Sequence, residues 1–210
     1  MTALLELSGV RKKFGGATVL SSVSLKVEAG DIWLISGPSG LGKSVLLEIM
    51  AGILAATGGL VRRAAPVGFL FQDDALIPWL TAYQNLAYVL PPSLAEREAE
   101  DKIARSLSFW ELAGEKYPAA LSGGARRRLA LARALILGRP LAILDEPFAF
   151  LDPKWDARIS SALSAHAAQG GAAVLSGHSL NPILREKAGA KLIYLELSDS
   201  PIVIGDLPAR

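Results

Sequence analysis

The segment Gly37-Pro38-Ser39-Gly40-Leu41-Gly42-Lys43-Ser44 matches the pattern G-x-x-x-x-G-K-[ST] at every fixed position. An apolar run from Ile32 to Ile35 precedes it and predicts a buried strand. Helical spacing follows it and predicts a helix from Lys43 to about Leu54, with one apolar face made of Val45, Leu46, Ile49, Met50 and Ile53. This strand-loop-helix order is typical of a loop that binds phosphate groups.

The residues of this loop have separate predicted roles. Its glycines let successive backbone N–H groups turn inward around a polyphosphate, and the positive end of the following helix adds to their field. Lys43 is expected to reach the β- and γ-phosphates, and Ser44 is expected to ligate Mg²⁺. The alternative, a glycine turn followed by a solvated lysine, would require all fixed positions and both flanks to agree by accident.

The composition limits the class of protein. The chain has 210 residues, of which 51% are hydrophobic, enough for one α/β core with an embedded subdomain. It has no cysteine, which excludes disulfides and thiolate metal sites, and its N-terminus does not resemble a secretory signal, so we expect a cytoplasmic protein. The net charge of +2 does not predict nucleic-acid binding, and no uncharged apolar run approaches the length of a membrane span.

Short strands are predicted on both sides of the loop. Before it, residues 4–9 and 19–27 alternate as an antiparallel pair, and Phe14 between them could either stack on an adenine or pack within the hairpin. After it, an edge strand over 60–63 and a buried strand over 67–71 are predicted, the latter ending at Gln72. Ligands of parallel sheets bind beyond the carboxyl ends of the strands, so Gln72 would face a nucleotide if its strand neighbours the one before the loop.

A helical region is predicted from Asp73 to Tyr117. Helical spacing indicates helices over 81–90 and 93–107, with Thr81 and Ser93 as N-caps. Trp79, just before the first helix, could either belong to an interface or pack inside this region.

A second glycine pair opens a further helix at Leu121-Ser122-Gly123-Gly124. With Ser122 as N-cap, the free N–H groups and the helix dipole would form an anion site with little side-chain obstruction. The basic residues Arg126 to Arg128 follow, and a solvated or interface face is the default interpretation for so short a cluster.

Two acidic residues, Asp145 and Glu146, follow the apolar strand predicted over 141–144. Asp145 is placed to hold Mg²⁺ through water, and Glu146 to orient and activate an attacking water. A helix to about Gln169 and a buried strand over 172–176 follow, and that strand ends at Gly177-His178, one of the chain's 2 histidines.

Taken in order, these motifs resemble the nucleotide-binding subunit of ATP-binding-cassette (ABC) transporters over almost the whole length. The phosphate loop, Gln72, Leu121-Ser122-Gly123-Gly124, Asp145-Glu146, Leu151-Asp152 and His178 stand in the family's sequence. The resemblance implies a phosphate-loop NTPase (RecA-like) core with an N-terminal antiparallel β subdomain, covering about 1–72 and 138–210. It also implies an inserted α-helical subdomain over about 73–137, the whole forming one ATPase domain over 1–210.

The resemblance also implies roles for single residues. Phe14 would stack on adenine, Gln72 would act as a switch that contacts metal and water, His178 would sense the γ-phosphate, and Asp152 would belong to the nucleotide site. Such subunits form head-to-tail dimers in which Ser122, Gly123 and Gly124 close on ATP held by the other subunit. The implied ligands are ATP and Mg²⁺. The implied partners are a second cassette and an integral membrane permease. The resemblance also implies a peripheral location on the cytoplasmic side of the inner membrane.

Three departures from the family pattern blur the subfamily. Ala125 replaces a glutamine, Ser179 replaces an acid, and the stretch between Gly59 and Gln72 is short. Residues 72–80 look like an importer, whereas the short middle resembles the haem exporter of cytochrome c maturation. A kinase or GTPase would not explain the signature, and a soluble ABC ATPase of the repair or translation type normally shows coiled-coil insertions or two cassettes. We therefore expect an ATPase that powers transport, with import of a small solute as the first hypothesis.

Overall fold

The computed structural model describes residues 3–177, 192–196 and 202–204. In chain order its elements are β1 (Ala3–Phe14), β2 (Ala17–Glu28), β3 (Ile32–Ser36), α1 (Lys43–Ala51), β4 (Gly58–Arg63), β5 (Val67–Leu70), α2 (Ala82–Ala87), α3 (Glu96–Phe109), a 3₁₀ turn (Pro118–Ala120), α4 (Gly123–Leu135), β6 (Leu141–Leu144), α5 (Pro153–Ala168), β7 (Ala172–Gly177), β8 (Leu192–Glu196) and β9 (Ile202–Ile204).

The strands form two sheets. The first has the order β4-β1-β2-β9, with β1 antiparallel to β2 and β4, and β9 parallel to β2. The second has the order β5-β6-β7-β3-β8, and all its pairings are parallel. This architecture confirms the predicted α/β class, with a parallel core sheet that leads into the phosphate loop and an antiparallel β-sheet at the N-terminus.

Two hydrophobic clusters fill the interior, and β3 lies between them. Ile32 and Leu34 belong to the cluster that includes residues of the helices α2, α3, α4 and α5. Trp33 and Ile35 belong to the cluster that joins the antiparallel sheet to α1. A strand buried on both faces has this continuous apolar pattern, because its side chains alternate between two covered surfaces.

Helix α1 is shorter than its apolar pattern predicts. It ends at Ala51, and Gly52 adopts a left-handed conformation with φ of 83°, from which its N–H donates to the carbonyls of Glu48 and Ile49. Glycine in this position stops a helix. The predicted end near Leu54 is therefore wrong, and Ile53, placed on the apolar face, lies outside the helix with 50% of its surface exposed.

The two N-caps predicted in the helical region have different outcomes. Thr81 is confirmed, because its side chain accepts from the Gln84 N–H while the Gln84 side chain accepts from the Thr81 N–H. Ser93 is wrong: α3 begins at Glu96, after Ala95. The segment before it forms a turn in which the Leu94 N–H donates to the Pro91 carbonyl at 3.0 Å. Across the described ranges, no helix has the length and apolar character needed to cross a membrane.

Candidate functional site

The phosphate-type loop joins β3 to α1 with its lysine folded over it. Lys43 is 6% exposed, and its Nζ donates to the carbonyls of Gly37 at 2.6 Å and Pro38 at 2.8 Å. Residues 38–40 of the loop are exposed. A buried ammonium whose bonds go to the loop's own carbonyls has a strong attraction for an anion seated in that loop. The loop therefore fits a polyphosphate ligand.

Gly42 shows why the loop requires glycine at its end. It is the N-cap of α1 and has φ of 98°, a conformation that side-chain-bearing residues rarely adopt. A Cβ atom there would also lie 2.5 Å from Cγ1 of Val19 on β2. The antiparallel sheet thus packs directly against the loop and fixes its path.

The acidic pair at the end of β6 is held by a serine on the neighbouring strand β7. Ser176, fully buried, donates its hydroxyl to Oδ1 of Asp145 and accepts the Glu146 N–H at 2.8 Å. Asp145 is 3% exposed, whereas Glu146 is half-buried and has φ of 49°. Such a conformation in a residue other than glycine is strained and is characteristic of functional sites.

Gln72 lies beside the acidic pair and not beside the phosphate loop. Its strand β5 pairs with β6, and both β6 and β7 separate β5 from β3. The nucleotide-facing role predicted for Gln72 requires β5 to neighbour β3, and β5 does not. Because all five strands are parallel, Gln72, Glu146 and the loop nonetheless follow strand ends on the same edge of the sheet. The Gln72 residue is exposed there.

The other predicted contacts with nucleotide lie on exposed helix starts and on the β-hairpin. Ser122 is the N-cap of α4, as predicted, and its Oγ accepts the Ala125 N–H at 3.2 Å, while Ser122 and Gly123 are exposed. Asp152 is the N-cap of α5 and is exposed, with no side-chain capping bond. Phe14 is 47% exposed at the end of β1, with the Lys12 ammonium 4.7 Å from its ring centre. His178 and Ser179 lie outside the described residues.

The arginines of α4 differ in their exposure, and Arg127 does not belong to a solvated face. Arg127 is 1% exposed, and its guanidinium donates to backbone carbonyls at the ends of both β5 and β6. Arg133 donates to the carbonyls of Asp74 and Ala75, and burial lowers its pKa while Asp74 opposes that shift. Arg126, by contrast, has an exposed side chain, as the sequence analysis expected. The solvated interpretation is therefore wrong for Arg127, because α4 packs closely on β5.

Ser176 and Arg127 are the site residues that the sequence analysis missed. Ser176 is the polar end of an otherwise apolar strand that precedes a predicted site residue. For Arg127 a signal lay in its own helix, where small alanines at 125, 130, 132 and 134 recur on more than one side. A helix covered on several sides must bury any arginine among those positions, and a buried arginine needs partners.

Comparison with known proteins identifies the family. A protein-family model described as "ABC transporter" matches residues 20–149. The sulfate/thiosulfate import ATP-binding protein cysA of Cucumis sativus is 39% identical over 168 residues, covering 71% of this chain and 48% of that protein. CysA of Escherichia coli strain K12 is 39% identical over 168 residues, covering 70% of this chain and 46% of that protein. The chain thus spans about half the length of these relatives.

Solved structures agree with the sequence matches. A dimeric structure of the ATP-binding cassette MJ0796 in a post-hydrolysis state, bound to ADP and Pi, superposes with a TM-score of 0.79 at 28% identity, over 92% of this chain and 96% of that one. A second dimeric structure of MJ0796, described as a bacterial ABC transporter cassette, gives 0.78 at 28% identity, over 91% and 94%. The family match covers more than half of the chain, and the fold and motif order of the chain agree with that match. The chain therefore belongs to the ABC transporter family, as an ATP-binding cassette.

Proposed function

We propose that this chain binds and hydrolyses ATP and thereby powers transport of a small solute by a separate membrane subunit. One observation carries the proposal: the phosphate-type loop with its buried Lys43 and the strained, hydrogen-bonded Glu146 follow strands of one parallel sheet and emerge on the same edge. A loop that fits a polyphosphate and a carboxylate that can accept a proton are together the parts needed for phosphoryl transfer to water.

Binding of ATP is assigned to the loop and the hairpin aromatic. Lys43 would exchange its bonds to the Gly37 and Pro38 carbonyls for the β- and γ-phosphates, while the loop's N–H groups donate to the same oxygens. The loop residues are Gly37, Pro38, Ser39, Gly40, Leu41, Gly42, Lys43 and Ser44. Phe14 would stack on the adenine, and its partial exposure leaves part of the ring available for this contact.

The residues at this edge also fit Mg²⁺. The buried Asp145 carboxylate, with a serine hydroxyl as its donor, would be stabilised by a nearby cation, and Ser44 and Gln72 offer neutral oxygens. When bound, Mg²⁺ would neutralise part of the charge that develops on the transferred phosphoryl group. We assign Ser44, Gln72 and Asp145 to hold it.

Glu146 is assigned as the group that orients and deprotonates the attacking water. The Glu146 N–H donates to the Ser176 hydroxyl, and this bond fixes the Glu146 backbone. A fixed backbone restricts the positions that the Glu146 carboxylate can reach. His178, by the family resemblance, would sense the γ-phosphate, and Gln72 would respond to it. Removal of a positioned base typically lowers a rate by about 10²–10⁴-fold.

Two copies of the cassette would form the complete site. The exposed N-terminus of α4, with Ser122, Gly123 and Gly124, offers N–H groups to a ligand held by another subunit, and exposed Asp152 would border it. The MJ0796 structures are dimeric, which supports this assembly. Closure on ATP followed by reopening after hydrolysis would move the membrane partner.

The direction proposed is import. The relatives from Cucumis sativus and Escherichia coli are named as import ATP-binding proteins, which does not favour the haem-exporter alternative or a non-transport ATPase. Trp79 is 75% exposed between Gln72 and α2, a position suited to a membrane subunit docked on the cytoplasmic side of the inner membrane.

We further propose that 1–210 is one domain, with a helical subdomain over about 73–137 within a core formed by the rest.

Two variants test the proposed chemistry. Glu146→Gln should bind Mg-ATP, release phosphate about 10²–10⁴-fold more slowly than the parent, and elute as a dimer in size-exclusion chromatography with ATP. Lys43→Ala should instead weaken nucleotide binding. Glu100→Gln, an exposed acid on α3, is the matched control and should hydrolyse ATP like the parent. Equal turnover in Glu146→Gln and the parent would remove Glu146 from the role assigned here.

A further inference from the structure

The buried guanidinium of Arg127 lies where two strands stop pairing. The parallel ladder between β5 and β6 ends at Leu70 and Leu144, after which the Asp145 N–H donates once more, to the Leu70 carbonyl at 3.0 Å. Carbonyl groups that leave a ladder inside a protein still require donors, because an unpaired buried carbonyl costs about as much as a lost hydrogen bond.

Arg127 supplies those donors to the ends of both strands, β5 and β6. Its Nη1 donates to the carbonyls of Phe71 at 2.8 Å and Gln72 at 3.1 Å. Its Nη2 donates to the carbonyls of Asp145 and, at 2.9 Å, Glu146. The planar fork of a guanidinium suits this geometry, since each nitrogen serves one strand end. The Arg127 side chain therefore connects the ends of β5 and β6 after the backbone hydrogen bonds between them have ended.

The position of α4 makes this reach possible. Gly68 on β5 faces the end of α4 so closely that a Cβ atom there would overlap the carbonyl oxygen of Ala134. With the helix pressed on the sheet, the Arg127 side chain becomes 1% exposed. Asp74 compensates its charge, with Oδ1 at 3.3 Å from Nη1. A buried charge held by five acceptors has a defined position.

The strained backbone of Glu146 is held on both sides as a result. Its N–H donates to Ser176 and its carbonyl accepts from Arg127, which together fix the peptide groups around a φ of 49°. A residue keeps such a conformation only where its surroundings over-determine it. The direction of the Glu146 side chain is set by this backbone, so the position of its carboxylate depends on the bonds to Ser176 and Arg127.

We propose that Arg127 is a positioning residue that holds Gln72 and Glu146 at a fixed separation and ties both to α4, the helix whose start carries Ser122. Any movement of α4 relative to the sheet is thereby transmitted to the two strand ends. The catalytic half of this inference rests on the proposed function, whereas the structural half does not.

Hydrogen exchange of the nucleotide-free chain tests the structural half. Arg127→Lys keeps the charge but loses the fork, so it cannot serve both strand ends. The backbone amides of Glu146 and Ala149, which donate to Ser176 Oγ and the Glu146 carbonyl, should exchange about tenfold faster or more. The matched control is Arg128→Lys, because Arg128 also donates to several backbone carbonyls, those of Gly124, Trp110 and Glu111, yet contacts neither strand end. It should leave both amides unchanged.

Two results would overturn the inference. Unchanged exchange in Arg127→Lys would show that the fork is dispensable. Equal acceleration in Arg128→Lys would show a general loosening of α4 instead of a local link. Arg127→Gln should exceed Arg127→Lys in effect, and the inference stands on the lysine variant if the glutamine variant does not fold.

Steady-state kinetics test the catalytic half. Arg127→Lys should lower kcat by about 10–100-fold, the range expected for a misplaced catalytic group, with KM for ATP within about threefold of the parent because the phosphate loop is untouched. A rise in KM with kcat unchanged would refute the positioning role. If the parent itself hydrolyses no ATP, the proposed function fails, and the exchange experiment still decides the role of Arg127.

Discussion

Replacing Ser176 with alanine would show how much of the fold's stability is concentrated at the acidic strand end. The Ser176 hydroxyl is fully buried and makes two bonds, to the Asp145 carboxylate and from the Glu146 N–H. The substitution removes one oxygen atom and leaves the buried Asp145 carboxylate and the Glu146 N–H without this partner. The backbone and the neighbouring strands β3 and β6 need not move, so the energetic effect should come almost entirely from the two lost bonds.

The magnitude follows from the kinds of bond involved. A hydrogen bond to a charged group contributes about 1.5–3 kcal/mol, and a buried N–H left without a partner costs about 1–3 kcal/mol. Allowing for partial relaxation, we expect the free energy of unfolding to fall by about 2–4 kcal/mol. For a chain of this size each kcal/mol lowers Tm by roughly 2–4 °C, so Tm should fall by roughly 4–16 °C.

The chain provides a matched control in Ser160 on α5. Ser160 is also fully buried, but its hydroxyl has no hydrogen-bond partner among the described residues. Ser160→Ala removes the same atom without orphaning a partner, so its free energy of unfolding should stay within about 0.5 kcal/mol of the parent or rise, because an unpaired buried hydroxyl is itself unfavourable. Urea denaturation followed by circular dichroism measures both variants.

Equal destabilisation by the two substitutions would refute the reasoning. It would mean that the effect reflects the loss of a buried oxygen in general and that the Ser176 bonds contribute nothing specific. The slope of the free energy of unfolding against urea concentration should be the same in both variants. A changed slope in one variant would signal a different unfolded or native state and would have to be excluded first.

The remaining predictions concern surfaces that other subunits would meet. Ser122→Arg should leave ATP binding to the isolated chain nearly intact while abolishing dimer-dependent hydrolysis, because the proposed ligand of Ser122 would be held by the other copy. Calorimetry measures the binding and phosphate release measures the hydrolysis, and parallel losses of both would contradict this. Trp79→Ala should change the free energy of unfolding by less than about 0.5 kcal/mol, since the ring is 75% exposed, yet weaken association with a membrane subunit by about 2 kcal/mol, or roughly 30-fold in Kd. Unchanged affinity in a pull-down titration would move the docking surface away from Trp79.

Sequence reasoning succeeded where the signal is local. The strand before Gly37, the helix after Lys43 and the cap at Ser122 each depend on patterns within a few residues, and each is present. It failed at Ser93, because the preceding prolines form a turn and delay the helix to Glu96.

Other features depend on contacts that no local pattern contains. The neighbours of Gln72 follow from the order of strands in the sheet, which the chain order does not determine. The burial of Arg127 follows from the packing of α4 on Gly68, and its guanidinium contacts the ends of β5 and β6, which are distant from each other in sequence. Its role could not be found without the tertiary structure.

The alternation of β3 between the two hydrophobic clusters has a consequence for how the molecule responds to damage. Ile32 and Leu34 face one cluster while Trp33 and Ile35 face the other, and Ser36 then leads into the phosphate loop. Strands β6 and β7 alternate between the clusters in the same way, so the parallel sheet separates the two clusters and contributes side chains to both. Because β3 leads directly into the phosphate loop, we expect a core substitution in either cluster that disturbs β3 to weaken nucleotide binding as well as folding.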